Sequence, residues 1–304
     1  MHILIAGGTG LVGQHMIHQL NADHTFTVLS RDVAQVKKKF GESVHACSWN
    51  NLNKLDAKAF DVVINLAGYN ISASRWNEKV KQKIIDSRVK TNEKLIDWLI
   101  KSGAKSRYYS ANAVGIYGAQ EKADDKELDE TDKVQFSPPK DFLNEVGMKW
   151  QQSVQKAIDH NIPVTITRFG VVIKKGDGML GKLSLPYQLG LGSVIGDGQQ
   201  VISWIDIDDL VRAYEFLLTN PTFIGSYNLT SPNPVTQKEF AKSLAKALNR
   251  PLFLKTPQFV IRLLLGEMGE YLINRGQRVI PKRLTDEGFS FKYPTIESSL
   301  EKEL

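Results

Sequence analysis

Near the start of the chain, Gly7-Gly8-Thr9-Gly10-Leu11-Val12-Gly13 has the residue types and spacing to hold a pyrophosphate. Glycines let the backbone turn tightly and approach the phosphates, and the last lets the next helix pack close to a sheet. The apolar run Ile3-Leu4-Ile5-Ala6 before the turn reads as a strand. The pattern after it reads as a helix, whose free N–H groups and positive dipole end would face the anion. Gly7, Thr9, Gly10, Leu11, Val12 and Gly13 are the expected cradle. The second strand, Phe26-Thr27-Val28-Leu29, ends in Ser30-Arg31-Asp32, where an acidic residue would hold a ribose 2′-hydroxyl. Arg31, with Ser30 beside it, matches a 2′-phosphate instead and favours NADP over NAD. The alternative is a solvated Arg31 with Asp32 on the ribose.

The elements that must position these groups alternate between strand and helix through the first half, which argues for a parallel sheet with helices on both faces. Strands are expected over His45 to Trp49, Asp61 to Leu66, Arg107 to Ser110 and Val164 to Thr167, with helices from about Asn77 to Lys101 and Lys140 to Asp159. Seven glycines between Gly176 and Gly198 suggest turns and mobile loops. Trp204 to Leu218 returns to regular structure, Tyr227 to Leu229 reads as a last strand, and Gln237 to Asn249 and Phe259 to Gly276 read as helices. The expected architecture is a Rossmann doubly wound α/β domain, 1–171 plus about 203–232. A smaller, mostly helical substrate lobe would be woven from about 172–202 and 233–304.

The 304 residues suffice for one large core plus a smaller lobe, and 42% hydrophobic and 24% charged residues are ordinary for a globular chain. The net charge of +6 is scattered among acids. Even the run Lys37-Lys38-Lys39 reads as a solvated helix end, so no nucleic-acid partner is expected. The single cysteine, Cys47, excludes an internal disulfide and fits a reducing cytoplasm as a small buried strand residue. The N-terminal strand leaves no visible signal peptide. The stretch from Phe259 to Ile273 is interrupted by Arg262, Glu267 and Glu270, so it reads as an amphipathic helix of core or interface, and no membrane partner is expected. The six histidines form no metal-like cluster, and no metal is expected.

These residues resemble the extended short-chain dehydrogenase/reductase superfamily, through the Gly7–Gly13 turn, Asn65-Leu66-Ala67-Gly68 and Ser110 to Gly118. The chain is most similar to its atypical sugar-nucleotide-epimerase-like proteins, through Trp76-Asn77-Glu78, Asp86-Ser87-Arg88, Ser203-Trp204-Ile205, Leu264-Leu265-Gly266-Glu267-Met268 and Arg278-Val279-Ile280-Pro281. The resemblance implies that Leu66, Ala67 and Gly68 follow the ribose of the cofactor. It also implies that Arg88, Ser110, Ala111, Asn112 and Val171 approach its nicotinamide side. Superfamily chemistry passes a proton through a tyrosine whose phenol is tuned by a lysine four positions later, on the same helix face. None of the nine tyrosines here has that lysine, and Leu143 and Gly147 align with the pair. The superfamily serine aligns with Asn112, which can hydrogen-bond but cannot ionise.

Asn112 and Tyr117 are the candidate catalytic replacements, with Glu145 and Lys149 behind them. Tyr117 could equally pack with its hydroxyl on backbone. Asp206, Asp208 and Asp209 read as helix-capping acids, and Arg168 as their partner or as a cleft residue. Ala67 to Trp76, the glycine-rich segment and the C-terminal helices are expected to close over the nicotinamide. Arg278, Lys282 and Arg283 are candidates for an anionic substrate. The leading expectation is an NADP-dependent oxidoreductase or epimerase acting on a small polar or nucleotide-linked substrate. The rival is a non-catalytic NADP(H)-binding regulator, and either allows a homodimer.

Overall fold

The computed structural model describes residues 1–121 and 124–304. Strand β1 (His2–Ala6), helix α1 (Leu11–Leu20), β2 (Thr25–Ser30), α2 (Val33–Phe40), β3 (His45–Ser48) and β4 (Val62–Asn65) open the chain. Helix α3 (Glu78–Ser102), β5 (Arg107–Ala113), α4 (Phe142–Gln152), α5 (Gln155–Asp159) and β6 (Val164–Phe169) follow. Then come β7 (Val171–Ile173), α6 (Gly178–Gln188), β8 (Ser193–Ile195), β9 (Val201–Ile202), β10 (Trp204–Asp206), α7 (Ile207–Thr219) and β11 (Gly225–Leu229). The rest comprises β12 (Val235–Thr236), α8 (Gln237–Ala247), β13 (Leu254–Thr256), α9 (Gln258–Leu265), α10 (Glu267–Gly269), α11 (Lys282–Asp286) and α12 (Ile296–Glu303).

Seven strands form one parallel sheet in the order β11-β6-β5-β4-β1-β2-β3. Side chains alternate across a strand. Ile3, Ile5, Val28 and Ile64 therefore enter a core with α1 and α7, while Leu4, Ala6, Leu29 and Val63 enter another with α3. A sheet buried on both faces explains why its strands are apolar runs rather than alternating ones. Cys47 lies buried on β3. Helix α3 starts where the Asn77 side chain accepts from the Val80 amide and ends at Gly103 in a left-handed conformation.

Three elements depart from expectation. The helix expected over 140–159 breaks into α4 and α5 at Ser153, whose hydroxyl bonds the Trp150 carbonyl and accepts from Asn92. Such side-chain bonds compete with the helical ladder. The glycine-rich stretch contains a helix, α6, rather than only loops. Its Gly181 packs so tightly on the preceding turn that a Cβ would lie 2.7 Å from the Gly176 carbonyl carbon. The helix expected over 259–276 breaks at Gly266, where φ is +64°.

A third core joins Leu180 and Tyr187 of α6, Trp204 of β10, Phe240 and Leu244 of α8, and Leu300 of α12. Within the stretch assigned by sequence to that lobe, Leu284 and Phe289 instead pack with Leu217 and Tyr227 in the first core. Helix α12 is also held by charge. Lys302 Nζ lies 2.8 Å from Asp206, 2.7 Å from Asp208 and 2.9 Å from Glu303. Asp206 caps α7 as the sequence suggests, yet it is fully buried and accepts from Ser299 as well. Asp209 takes the Lys292 and Tyr293 amides.

Burial alone pushes the Glu303 carboxyl up, but the Lys175 amide, Lys302 and Lys174 together hold it below its ordinary value. A carboxyl depressed in the fold contributes stability above its unfolded pKa and loses it as pH falls through the folded one. Lys302→Met should therefore lower the unfolding free energy by about 3 kcal/mol at neutral pH, because it removes the cation that the buried carboxylates of Asp206 and Glu303 share. The deficit should shrink in acid as those carboxylates take protons. Urea titrations at both pH values read this out, and an unchanged midpoint at neutral pH would mean that apolar contacts alone hold α12.

Candidate dinucleotide-binding cleft

The parallel register puts the carboxyl ends of β1, β2, β4, β5 and β6 on one edge of the sheet. Chain order reverses between β1 and β4, and ligands of open α/β sheets bind in the crevice at such a switch point. Gly7 leaves β1 at φ +82°, and a Cβ there would sit 2.7 Å from the Leu66 carbonyl carbon at the end of β4. Gly13 lies against the turn itself, where a Cβ would come within 2.6 Å of the Gly8 Cα. Gly10, at the N-terminus of α1, is exposed, and no side chain caps the helix. The opening amides of α1 at Leu11 and Val12, beside Thr9, thus face an open mouth bordered by backbone. That arrangement fits a pyrophosphate.

At the tip of β2 the two readings of Arg31 and Asp32 separate. The Asp32 carboxylate accepts from the Gln35 amide and caps α2. Ser30 Oγ bonds the Asp32 backbone. Arg31 is exposed and makes no hydrogen bond or ion pair among the described residues. The guanidinium is available and the carboxylate is engaged, which is the arrangement for a 2′-phosphate.

Toward the middle of the crevice, Leu66, Ala67 and Gly68 leave β4 beside the end of β1, and the Asn65 side chain accepts from the Ala67 amide. Asn65 also donates to Asn92, on which the Tyr108 hydroxyl and Ser110 converge. This buried network fixes the ends of β4 and β5. Asn92 was missed by sequence reasoning, although it stands among the apolar positions of α3 beside Leu95 and Ile96. The Ser110 side chain is turned into the network and Ala111 is buried, so each can offer a ligand only backbone. Val171 lies at the start of β7, paired with Trp204.

Arg88 lies under this turn rather than in a surface ion pair. Asp86, two residues before it, bonds Lys90. The Arg88 guanidinium donates to the Tyr69 and Ile84 carbonyls, lies over the Trp150 ring at 4.8 Å and touches Gly68, where a Cβ would come within 3.1 Å of its carbon. Its Nε is buried without a partner, and burial pushes the group down to about 10. Among the described residues no carboxylate neutralises it.

The catalytic candidates fare differently. Asn112 is buried, donating to the Gly147 carbonyl and accepting from the Ala113 amide. Ala113, not Asn112, is the exposed residue at the end of β5. Tyr117 is also withdrawn: its hydroxyl lies 2.7 Å from Arg168, 2.9 Å from the Asp129 carbonyl and 3.0 Å from Asn228. Burial pushes its phenol up, against the opposing pull of Arg168. Arg168 thus serves Tyr117 and Gln151, neither pairing with an aspartate nor facing a substrate. Glu145 and Lys149 pair with each other at 2.6 Å on the helix surface.

The positions of the usual relay are closed by shape as well as by chemistry. A Cβ on Gly147 would lie 2.7 Å from the Ile116 Cα, so the short turn after β5 occupies the space a lysine would need. The anion cluster suggested by Arg278, Lys282 and Arg283 does not form either. Lys282 pairs with Asp286, and Arg283 donates to the Ile224 and Ser226 carbonyls and stacks on Tyr227 at 3.9 Å, at the far end of β11. The segment after β4 does meet the helical lobe. Lys182 of α6 donates to Ser72, Arg75 donates to the Leu264 carbonyl, and Lys81 pairs with Glu267 at 2.6 Å. Gly147→Lys, meant to restore the relay, should lower stability by about 1–3 kcal/mol through overpacking. Leu143→Tyr, on a half-buried position, should cost less. Thermal melts of both variants check this, and an unshifted melt for Gly147→Lys would show that the turn at Ile116 can yield.

Residues 3–230 match the NAD dependent epimerase/dehydratase family, and residues 256–303 match a domain of unknown function, DUF1731. The chain is 35% identical to the chloroplastic epimerase family protein SDR39U1 homolog of Arabidopsis thaliana, covering 99% of this chain and 86% of that protein. It is 34% identical to the epimerase family protein YfhF of Bacillus subtilis, covering 99% and 97%. Among solved structures, the human epimerase family protein SDR39U1 with NADPH superposes with a TM-score of 0.87 at 29% identity, over 100% of this chain and 99% of that one. UDP-glucose 4-epimerase of Thermus thermophilus superposes at 0.76 with 16% identity over 100% and 97%, a likeness of fold. With one cofactor crevice and a helical lobe matched along nearly its whole length, the chain belongs to the NAD dependent epimerase/dehydratase family, in the branch that carries the DUF1731 domain.

Proposed function

We propose that the protein binds NADP(H) and acts as an oxidoreductase or epimerase on a small polar or nucleotide-linked substrate, without a tyrosine–lysine proton relay. The observation that carries the cofactor assignment is the division of labour at β2, where Arg31 is free and Asp32 is committed to capping α2. The NADPH in the human relative supports the same reading. Bound there, the nicotinamide would supply a hydride. The chain's own part is to hold the pyrophosphate on the amides of Leu11 and Val12 and to seat the ribose along Leu66 to Gly68. Arg88 would offer its guanidinium to an oxygen of the ribose or of an anionic substrate. With Asn112, Leu143 and Gly147 where the relay would stand, the accompanying proton is exchanged with solvent or within the substrate. A reductase and an epimerase share this step and differ in whether the hydride returns to the same carbon. The matched family is named for epimerases and dehydratases. A cytoplasmic setting accords with the lone buried thiol of Cys47.

The second reading, a cofactor-binding regulator without turnover, draws on the same three positions, none of which can pass a proton by ionising. NADPH oxidation and epimerisation measured over a panel of carbonyl compounds and nucleotide sugars separates the two. Turnover of any member supports the enzyme, whereas tight NADPH binding with no turnover across the panel favours the regulator.

Arg31→Asp should weaken NADPH binding by about 2–3 kcal/mol and leave NADH binding nearly unchanged, because it exchanges the counter-charge of the 2′-phosphate for repulsion. Calorimetric titration with both cofactors measures this. Equal affinity of the unmodified protein for NADPH and NADH would overturn the assignment.

A further inference from the structure

Helix α9, Gln-Phe-Val-Ile-Arg-Leu-Leu-Leu, is almost entirely apolar, yet none of its residues is buried. Phe259 is 69% exposed and Leu263 is 73% exposed, one turn apart on the same side of the helix. They are not isolated. The parallel pairing of β13 with β8 sets Leu254 opposite Ser193, so the chain at Phe253 runs beside the segment that carries Leu191, and Arg250 bonds the Gln188 carbonyl at the end of α6, beside Leu189. Leu189, Leu191 and Phe253 are likewise exposed. The small lobe therefore carries most of the exposed large apolar side chains of the described residues. Large clustered apolar surface marks a contact site, whereas scattered apolar residues do not.

The charges along this stretch are mostly basic, and the acids just beyond it, Glu267 and Glu270, pair with Lys81 and Arg275. From Lys238 to Leu264 the sequence contains six basic residues and one acidic residue, Glu239. Arg250, Lys255 and Arg262 are exposed and interleaved with Phe253, Leu254, Phe259 and Leu263. A two-fold contact with a second copy would set this basic fringe against itself, since the same patch is used on both sides. No described helix is long and apolar enough to cross a membrane, so any lipid contact would be peripheral. Apolar side chains flanked by lysine and arginine suit that role: the chains enter the acyl boundary while the cations meet lipid phosphates. The sequence expectation of no membrane partner rested on the lack of a spanning segment, which does not bear on docking.

We propose that the belt formed by the end of α6, the approach to β13 and the outer face of α9 docks the protein on an anionic lipid surface. This does not depend on the cofactor assignment, and its test reads partition rather than turnover.

The experiment is co-sedimentation of the full chain with vesicles of phosphatidylcholine alone and of phosphatidylcholine with phosphatidylglycerol, at low and high salt. Two variants accompany it, Phe259→Ser with Leu263→Ser and Lys255→Glu with Arg262→Glu. All four side chains are exposed, and thermal melts check that the fold is kept. The expected result is partition to the phosphatidylglycerol vesicles that weakens with salt. Each double variant should lose it by roughly tenfold or more. Absence of partition, or partition equal in the unmodified chain and both variants, overturns the proposal. So does a stable dimer by light scattering that the Phe259→Ser, Leu263→Ser variant dissociates, since a second copy would then cover the belt.

Discussion

At the centre of the sheet the backbone leaving β1 meets the backbone leaving β4 with no side chain between them. Gly7 has no room for a Cβ against Leu66, and Gly13 has none against Gly8. These two contacts draw α1 onto the sheet and aim its first amides along the crevice edge. Had either position carried a side chain, α1 would be pushed away and the strand ends could not form one cradle. The tip of β2 and the turn at Gly68 take their places on either side of this approach.

Around it the protein spends polar groups on position rather than on proton transfer. Asn65, Asn92, Tyr108 and Ser110 saturate one another beneath the ends of β4 and β5. One strand further on, Asn112 is held by the Gly147 carbonyl and Tyr117 by Arg168, whose Nε is left without a partner. A buried network with its members satisfied rigidifies the site it surrounds. The residues left facing the crevice are small or apolar, such as Ala113 and Leu143, together with the charge of Arg88.

The glycine turn, the alternation of strands and helices and the tip at Arg31 were legible in the sequence because each depends on local spacing. Helix α3 was legible to within a residue because its cap, its apolar period and its terminal glycine agree. The failures share a different cause. Tyr117 and Asn112 have the right chemistry at the right strand end, but their partners are remote in sequence: Asn228 lies 111 residues from Tyr117, and Gly147 lies 35 residues from Asn112. Arg283 looked like a free cation because its acceptors at the entry to β11 lie 57 to 59 residues away. The break at Ser153 likewise came from Asn92, 61 residues earlier. Local pattern shows where a side chain starts, whereas tertiary contacts decide whether it remains available.

The placement of Arg88 couples the crevice to the stability of the whole fold. A desolvated guanidinium with an unpartnered Nε and no acidic neighbour among the described residues is a standing penalty carried by the native state. A ligand that offers it an oxygen acceptor or an anionic group relieves that penalty, and relief confined to the folded form shifts the folding equilibrium by mass action. The crevice then behaves as a thermodynamic sensor of its own occupancy. Molecules that satisfy Arg88 would raise the melting temperature beyond what their contact area suggests, which ranks unknown substrates without knowledge of the reaction.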